Sequence, residues 1–219
     1  MDERLQNTLK GATFVTLDYT LIKTDSMRVF RRRLIPTLLK RHAPLPALRA
    51  LWWMALGTMR LKNPLRVKWQ LTKEARCNFT EEDWEATAGD IAAKLSPLVK
   101  AYTDSRLGRG CDVYIATAAP EEYALPLSRK LGYDGAIATP FTDDFDDYTE
   151  IKGQTKLEEI QKMMRERDLR LESFITDNTE DLPTAMEYPK YTILANPARK
   201  TAELFRHIGT TRYLASPEA

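Results

Sequence analysis

The sequence predicts an α/β fold, a Rossmann-like parallel sheet core carrying an inserted helical cap. Three observations predict it. Short apolar, β-branched runs alternate with amphipathic helical stretches through the second half of the chain, the pattern of a parallel sheet covered on both faces. One such run, ATFVTL at 12–17, stands alone near the start. Between it and the next run lies a 75-residue block of helical periodicity, far longer than a crossover needs and therefore read as an insertion. The expected organisation is a core formed by residues 1–26 and 102–219, with residues 27–101 as the cap.

Each element has its own signal. In the block, MRVFRRRLIPTLLKRH is the first helix, with Pro36 expected to kink or split it. PALRALWWMALGTMRLK is the second, and PLRVKWQLTKEARC the third, opened by Pro64 at a first helical position. Thr80 starts a further helix, with acids in its first turn. After Gly108 and Gly110, CDVYIAT is a strand, and PEEYALPLSRKLG a helix ending at Gly132. GAIAT is a short strand and TDDFDDYTE an acidic loop. GQTKLEEIQKMMRERD is a helix, SFITD a strand, DLPTAMEY a short helix, YTILAN a strand and ARKTAELFRHIG the last helix.

Composition narrows the class. The chain has 219 residues, 43% apolar and 29% charged, the make-up of a globular domain with a proper core. Its two cysteines, Cys77 and Cys111, form no C-x-x-C pair, which argues against a zinc ribbon or a disulfide framework and for a reducing cytoplasm. The opening MDERLQNTLK is polar, unlike a secretory signal, and no run of 18 apolar residues occurs. The net charge of +2 hides an asymmetry: Arg28 to Cys77 holds thirteen Lys and Arg against the single acid Glu74. Such an excess points to an anionic partner. Trp52, Trp53, Met54 and Trp69 lie among these cations, as in an interfacial membrane helix. Residues 28–77 are thus a candidate for peripheral association with an anionic membrane, at the inner face, against the simpler reading that the tryptophans pack the cap. Nucleic acid is disfavoured, because no recognition motif accompanies the charge.

In open parallel sheets ligands sit at the carboxyl ends of the strands. There the sequence lists Thr16, Asp18 and Thr20, then Thr117, Lys156, Asp177, Asn178 and Asp181. Carboxylates, a lysine, hydroxyls and helix-start amides at one edge suit a divalent cation and a phosphate, the equipment of phosphoryl transfer. His42 and His207 fall outside these stretches, which leaves zinc sites and Ser-His-Asp triads little support. Cys111 reads as core, and Asp143 to Asp147 as a solvated loop rather than a second metal site.

Four stretches together resemble a known family. FVTLDYTLI resembles the first motif of the haloacid dehalogenase superfamily, hydrophobic-Asp-x-Asp-x-Thr-Leu; IATAAPEEY resembles its second, a strand ending in Thr or Ser before a helix. KGQTK resembles the third, with Lys156 as the phosphate lysine, and ITDNTEDLP the fourth, Gly-Asp-Ser-x-x-Asp. The long helical insertion resembles that family's C1 cap. TLIKTDSM, the Trp-rich basic cap, EIKGQTK and Asn196-Pro197 are similar to phosphatase-like domains fused to polyprenyl-transferase membrane enzymes, and to stand-alone relatives of the phosphoserine phosphatase-like branch.

The resemblance implies roles. Asp18 would be the general acid/base and would also meet the metal through its carbonyl; Thr20 would support that loop. Thr117 and Ala118 would bind phosphate oxygens, and Lys156 would hold nucleophile and phosphate charges together. Asp177 and Asp181 would bind or orient Mg2+. The departure is Thr16, which stands where the family has its nucleophilic Asp: a hydroxyl is neutral at pH 7 and a poor nucleophile without a base. Tyr19 and Thr176 replace glycines of the pattern, and Asn178 its Ser. Thr16 reads as a packing residue, as a site that no longer forms an aspartyl-phosphate, or as an introduced exchange. Two functions follow. One is a Mg2+-dependent phosphohydrolase of low or altered activity, acting on a phosphorylated small molecule or a lipid-linked phosphate. The other is an inactive pseudo-phosphatase that works as a binding or membrane-surface module through its basic cap.

Overall fold

A computed structural model describes residues 9–210 and 212–214. The chain opens with β1 (Lys10–Val15), followed by a tight turn at Leu17–Leu21 and five helices: α1 (Ser26–Lys40), α2 (Pro44–Thr58), α3 (Pro64–Asn78), α4 (Glu81–Ala92) and α5 (Pro97–Leu107). Then come β2 (Asp112–Pro120), α6 (Glu121–Leu131), β3 (Gly135–Thr139), α7 (Gly153–Glu166), β4 (Leu169–Thr176), a 3-10 turn at Thr179–Asp181, α8 (Leu182–Glu187), β5 (Thr192–Leu194), α9 (Arg199–His207) and β6 (Arg212–Tyr213). The predicted α/β class with a parallel sheet is borne out. All six strands pair parallel, in the order β3-β2-β1-β4-β5-β6.

That order reverses beside β1, so the crevice for a ligand opens between the carboxyl ends of β1 and β4. Val15 is level with both Ile115 and Ile175, which brings the ends of three strands to one edge. Alternate residues serve opposite faces. Ala12, Phe14, Tyr114 and Phe174 pack on one side, and Val15, Val113, Ile115 and Ile175 on the other. The buried hydroxyl of Thr13 is satisfied by Ser173 Oγ at 2.8 Å.

The cap enters and leaves through a short antiparallel ribbon. Ile22 pairs with Leu95, Lys23 N–H donates to Lys94 O (2.9 Å) and Ser96 N–H to Leu21 O (2.8 Å). Residue 101, expected as the cap boundary, lies in the middle of α5, which packs on β2. Helix α1 does not split at Pro36 but runs on through it. Pro36 is on the exposed face, so the carbonyl its missing N–H would have bonded can meet water instead. Helix α4 starts as read, with a capping box in which Thr80 N–H donates to Asp83 Oδ2 at 3.0 Å. Strand β6 was not foreseen, since two residues carry no periodicity.

The tryptophans divide. Trp69 is buried, donates Nε1–H to Thr142 O (2.8 Å) and stacks on Phe141 at 6.0 Å. Trp53 is half-buried against the cap core, whereas Trp52 faces solvent. Phe30 joins cap to core, packed against Trp84 and against Tyr123 of α6, both at 5.8 Å between ring centres. No helix among the described residues is long and apolar enough to cross a membrane. Truncating the fully buried Phe30 to Ala is expected to cost about 3–5 kcal/mol, read from the urea-unfolding midpoint.

Candidate active site

The site begins where β1 ends. Thr16 N–H donates to Ile175 O (2.9 Å), and Leu21 N–H returns to Thr16 O (3.1 Å), closing the turn. Inside it Tyr19 takes a left-handed φ of 58°, a conformation that costs a non-glycine residue about 1 kcal/mol or more. This is where the related motif carries glycine. The turn aims Asp18 at the start of α1, where Asp18 Oδ1 accepts from Ser26 N–H at 2.6 Å. Burial raises the Asp18 carboxyl above its usual range and the Asp25 charge adds to the rise, while the Ser26 bonds and the Lys68 charge oppose it.

Thr16 is buried, and its hydroxyl donates to Thr20 Oγ1 at 2.8 Å. Thr20 in turn donates to Asp177 Oδ1 at 2.7 Å. The two hydroxyls therefore form a relay ending on the carboxylate that follows β4. Burial pushes Asp177 up to about 6; the Thr20 bond restrains the shift, and the charges of Asp181 and Asp18 add to it.

Lys156 and Asp181 are almost fully buried and paired, Nζ to Oδ1 at 2.5 Å. Asp181 Oδ2 accepts from Thr176 Oγ1 at 2.5 Å, and Thr176 Oγ1 accepts from Asn178 N–H at 3.1 Å. Thr117 is buried near the end of β2, its Oγ1 accepting from Ala119 N–H at 3.1 Å. The Ala118 carbonyl accepts from Thr139 Oγ1 (2.7 Å) and from Lys68 Nζ (2.5 Å), a lysine reaching down from cap helix α3. Lys68 also binds Glu150 Oε1 at 2.6 Å.

Cap and core enclose a cleft of about 1020 Å³, lined by Asp18, Asn178 and Lys152 below and by Arg31, Leu65 and Lys68 above. Tyr148, also in its wall, is buried, and its hydroxyl has no hydrogen-bond partner among the described residues. Sequence reasoning missed Lys68, Glu150 and Tyr148. Lys68 stood in the sequence as one basic cap residue among many, and only the cap's approach to the sheet sets it apart.

The carboxylates expected to bind metal are not gathered as a triplet, since no group of three His, Cys, Asp or Glu suited to a metal occurs among the described residues. Asp181 commits both oxygens to Lys156 and Thr176. Asp18 and Asp177 accept through Oδ1 from Ser26 N–H and Thr20 Oγ1. Asp177, whose pKa the Asp18 charge helps to raise, and Asp18 fit magnesium, which takes one or two protein carboxylates and completes its shell with phosphate and water.

By sequence, the family model described as haloacid dehalogenase-like hydrolase matches residues 14–186. No protein of curated function matches. Among solved structures, a Bordetella pertussis Tohama I protein of unknown function superposes with a TM-score of 0.69 at 17% identity, over 94% of this chain and 99% of that one. A phosphoserine phosphohydrolase-like protein from Francisella tularensis subsp. tularensis SCHU S4 gives 0.55 at 16% identity, over 93% and 94%. An apo phosphoserine phosphatase gives 0.60 at 14% identity, over 95% of each chain. At these identities the likeness is one of fold.

Two outcomes follow from the geometry. The raised Asp177 pKa means that the folded state holds more protons than the unfolded chain between pH 3.8 and about 6. Its stabilising contribution is full below that window and lost as pH rises through it. In metal-free buffer, Asp177→Asn should therefore be more stable than the parent by about 2–3 kcal/mol at neutral pH, with thermal melts converging below about pH 4. Lys156→Met strands the Asp181 charge and should cost about 3–5 kcal/mol, whereas adding Asp181→Leu should recover much of it; chemical denaturation of the two variants checks this.

Proposed function

The chain belongs to the haloacid dehalogenase-like hydrolase family, and we propose that it is a phosphate-binding phosphohydrolase of low or altered activity. Its substrate would be a phosphorylated small molecule or a lipid-linked phosphate ester. The observation that carries the reading is the relay from Thr16 to Thr20 to Asp177. Where the resemblance calls for an attacking carboxylate, a neutral hydroxyl donates its hydrogen bond to another hydroxyl. No base touches it directly, so covalent attack has lost its driver.

The groups for holding a phosphate ester remain. Lys156 has donors beyond the one given to Asp181, and Thr117 offers a hydroxyl at the strand end. Asp18, with its raised pKa, is suited to protonate a leaving alcohol. Tyr148, whose pKa burial also raises, stays a neutral phenol in the wall of the cleft. Bound at Asp18 and Asp177, a magnesium ion would neutralise phosphate charge. Water attack on the bound ester keeps a slow route open. The same relay favours a second reading, a pseudo-phosphatase that binds phosphate esters without turnover.

Thr16→Asp decides how the site is used. Hydrolysis of a generic phosphate ester with magnesium present is expected to rise by on the order of 10³-fold or more, the scale on which nucleophiles matter. A fall in an existing activity would mean that Thr16 itself takes part. No turnover by the parent across a broad ester panel, with phosphate-analogue binding retained, would favour the second reading.

A further inference from the structure

The cap leaves one helix half unpacked. Seven of the thirteen exposed large apolar side chains among the described residues fall between Leu39 and Leu61. On α2 Leu45, Leu48 and Trp52 are 71%, 64% and 63% exposed, and Met59, directly after its last residue, is 66% exposed. Their spacing of three, four and seven residues sets them in a single stripe, with Leu51 beside it. The opposite side is used: Ala47 and Ala50 are buried, and Trp53 and Met54 pack against the cap core. The helix holds one charged residue, Arg49, and that is paired with Glu74 at 2.9 Å. A helix apolar on both sides with one of them open to water marks an interaction surface.

The rim identifies the partner. No Asp or Glu occurs from Ser26 to Lys73. At the far end of α2 the exposed residues Met59, Arg60, Leu61 and Lys62 alternate apolar with cationic, and Leu39 and Lys40 precede its start. A second copy docked on this face would set the same cationic rim against itself, which is unfavourable. A nucleic acid would leave the apolar stripe unused. At 15 residues α2 is too short to span a bilayer, but it suits the boundary between headgroups and acyl chains.

We propose that this face docks on an anionic lipid bilayer, with Leu45, Leu48, Trp52 and Met59 entering the interface while Arg60 and Lys62 meet lipid phosphates. Asn63, Pro64 and Leu65, directly after the rim, line the cleft over Asp18. Docking therefore sets the mouth of that cleft beside the membrane surface.

Flotation of the full chain tests this with vesicles of phosphatidylcholine alone and of phosphatidylcholine mixed equally with phosphatidylglycerol. The expected result is binding to the anionic vesicles that weakens with added salt and is faint on the neutral ones. Leu48→Glu with Trp52→Glu should lower partitioning tenfold or more, and Arg60→Gln with Lys62→Gln about 25-fold, at about fivefold per cation. Thermal melts of both variants should match the parent, since the altered side chains face solvent. Failure of the parent to float with anionic vesicles overturns the proposal, as does flotation unchanged by the apolar double variant. A parent dimer in sedimentation that Leu48→Glu dissolves would assign the face to a second copy and also overturns it.

Discussion

The buried pair of Lys156 and Asp181 is the constraint on which the carboxyl edge of the sheet depends. It ties α7 to the turn after β4 at 2.5 Å, out of reach of water. Two charges taken from water are tolerable only if each finds its partner and the remaining lone pairs are bonded. Here the second oxygen of Asp181 takes the Thr176 hydroxyl, which in turn takes the Asn178 amide. Those bonds fix the backbone on both sides of Asp177. The pair is less a source of stability than a clamp on the position of the residue between its supports.

Held in this way, Asp177 stands near Asp18 and Asp181 in a poorly hydrated setting, and its pKa records the crowding. A further carboxylate at position 16 would add a negative charge to that group. Threonine removes the repulsion and supplies a donor that reaches Asp177 through Thr20. The edge is thus electrostatically quieter than a site with an attacking carboxylate, and less dependent on a cation for its own stability. What it gives up is the charge that would attack phosphorus.

Much of the architecture was readable before any coordinates. The apolar β-branched runs, the helical block and the residues at strand ends have local signatures, and Thr16, Thr117, Lys156 and Asp177 do lie along one edge. Other features depend on which segments meet in space. Lys68 becomes a site residue only because α3 approaches β2. Trp52 and Trp69 are alike in sequence, yet one faces solvent and the other stacks on Phe141. Pro36 did not break its helix because the affected carbonyl faces water, a matter of orientation that composition does not encode. Asp181 has the spacing to bind or orient a metal, and only the structure shows that its side chain pairs with Lys156.

The ribbon at residues 21–23 and 94–96 joins the cap to the core by two adjacent strands, and across the cleft Lys68 grips Ala118 O and Glu150. Cap and core also meet where Phe30 packs on Tyr123 and Trp69 on Phe141, so Lys68 is one of several ties between them and the one that crosses the cleft. Both bonds of that tie are made by a single ammonium, one to a backbone carbonyl and one to a carboxylate. An incoming anion can take the place of Glu150 at the lysine. The cation that such an anion would meet is already committed to a carboxylate, so binding there trades one partner for another and not water for a partner.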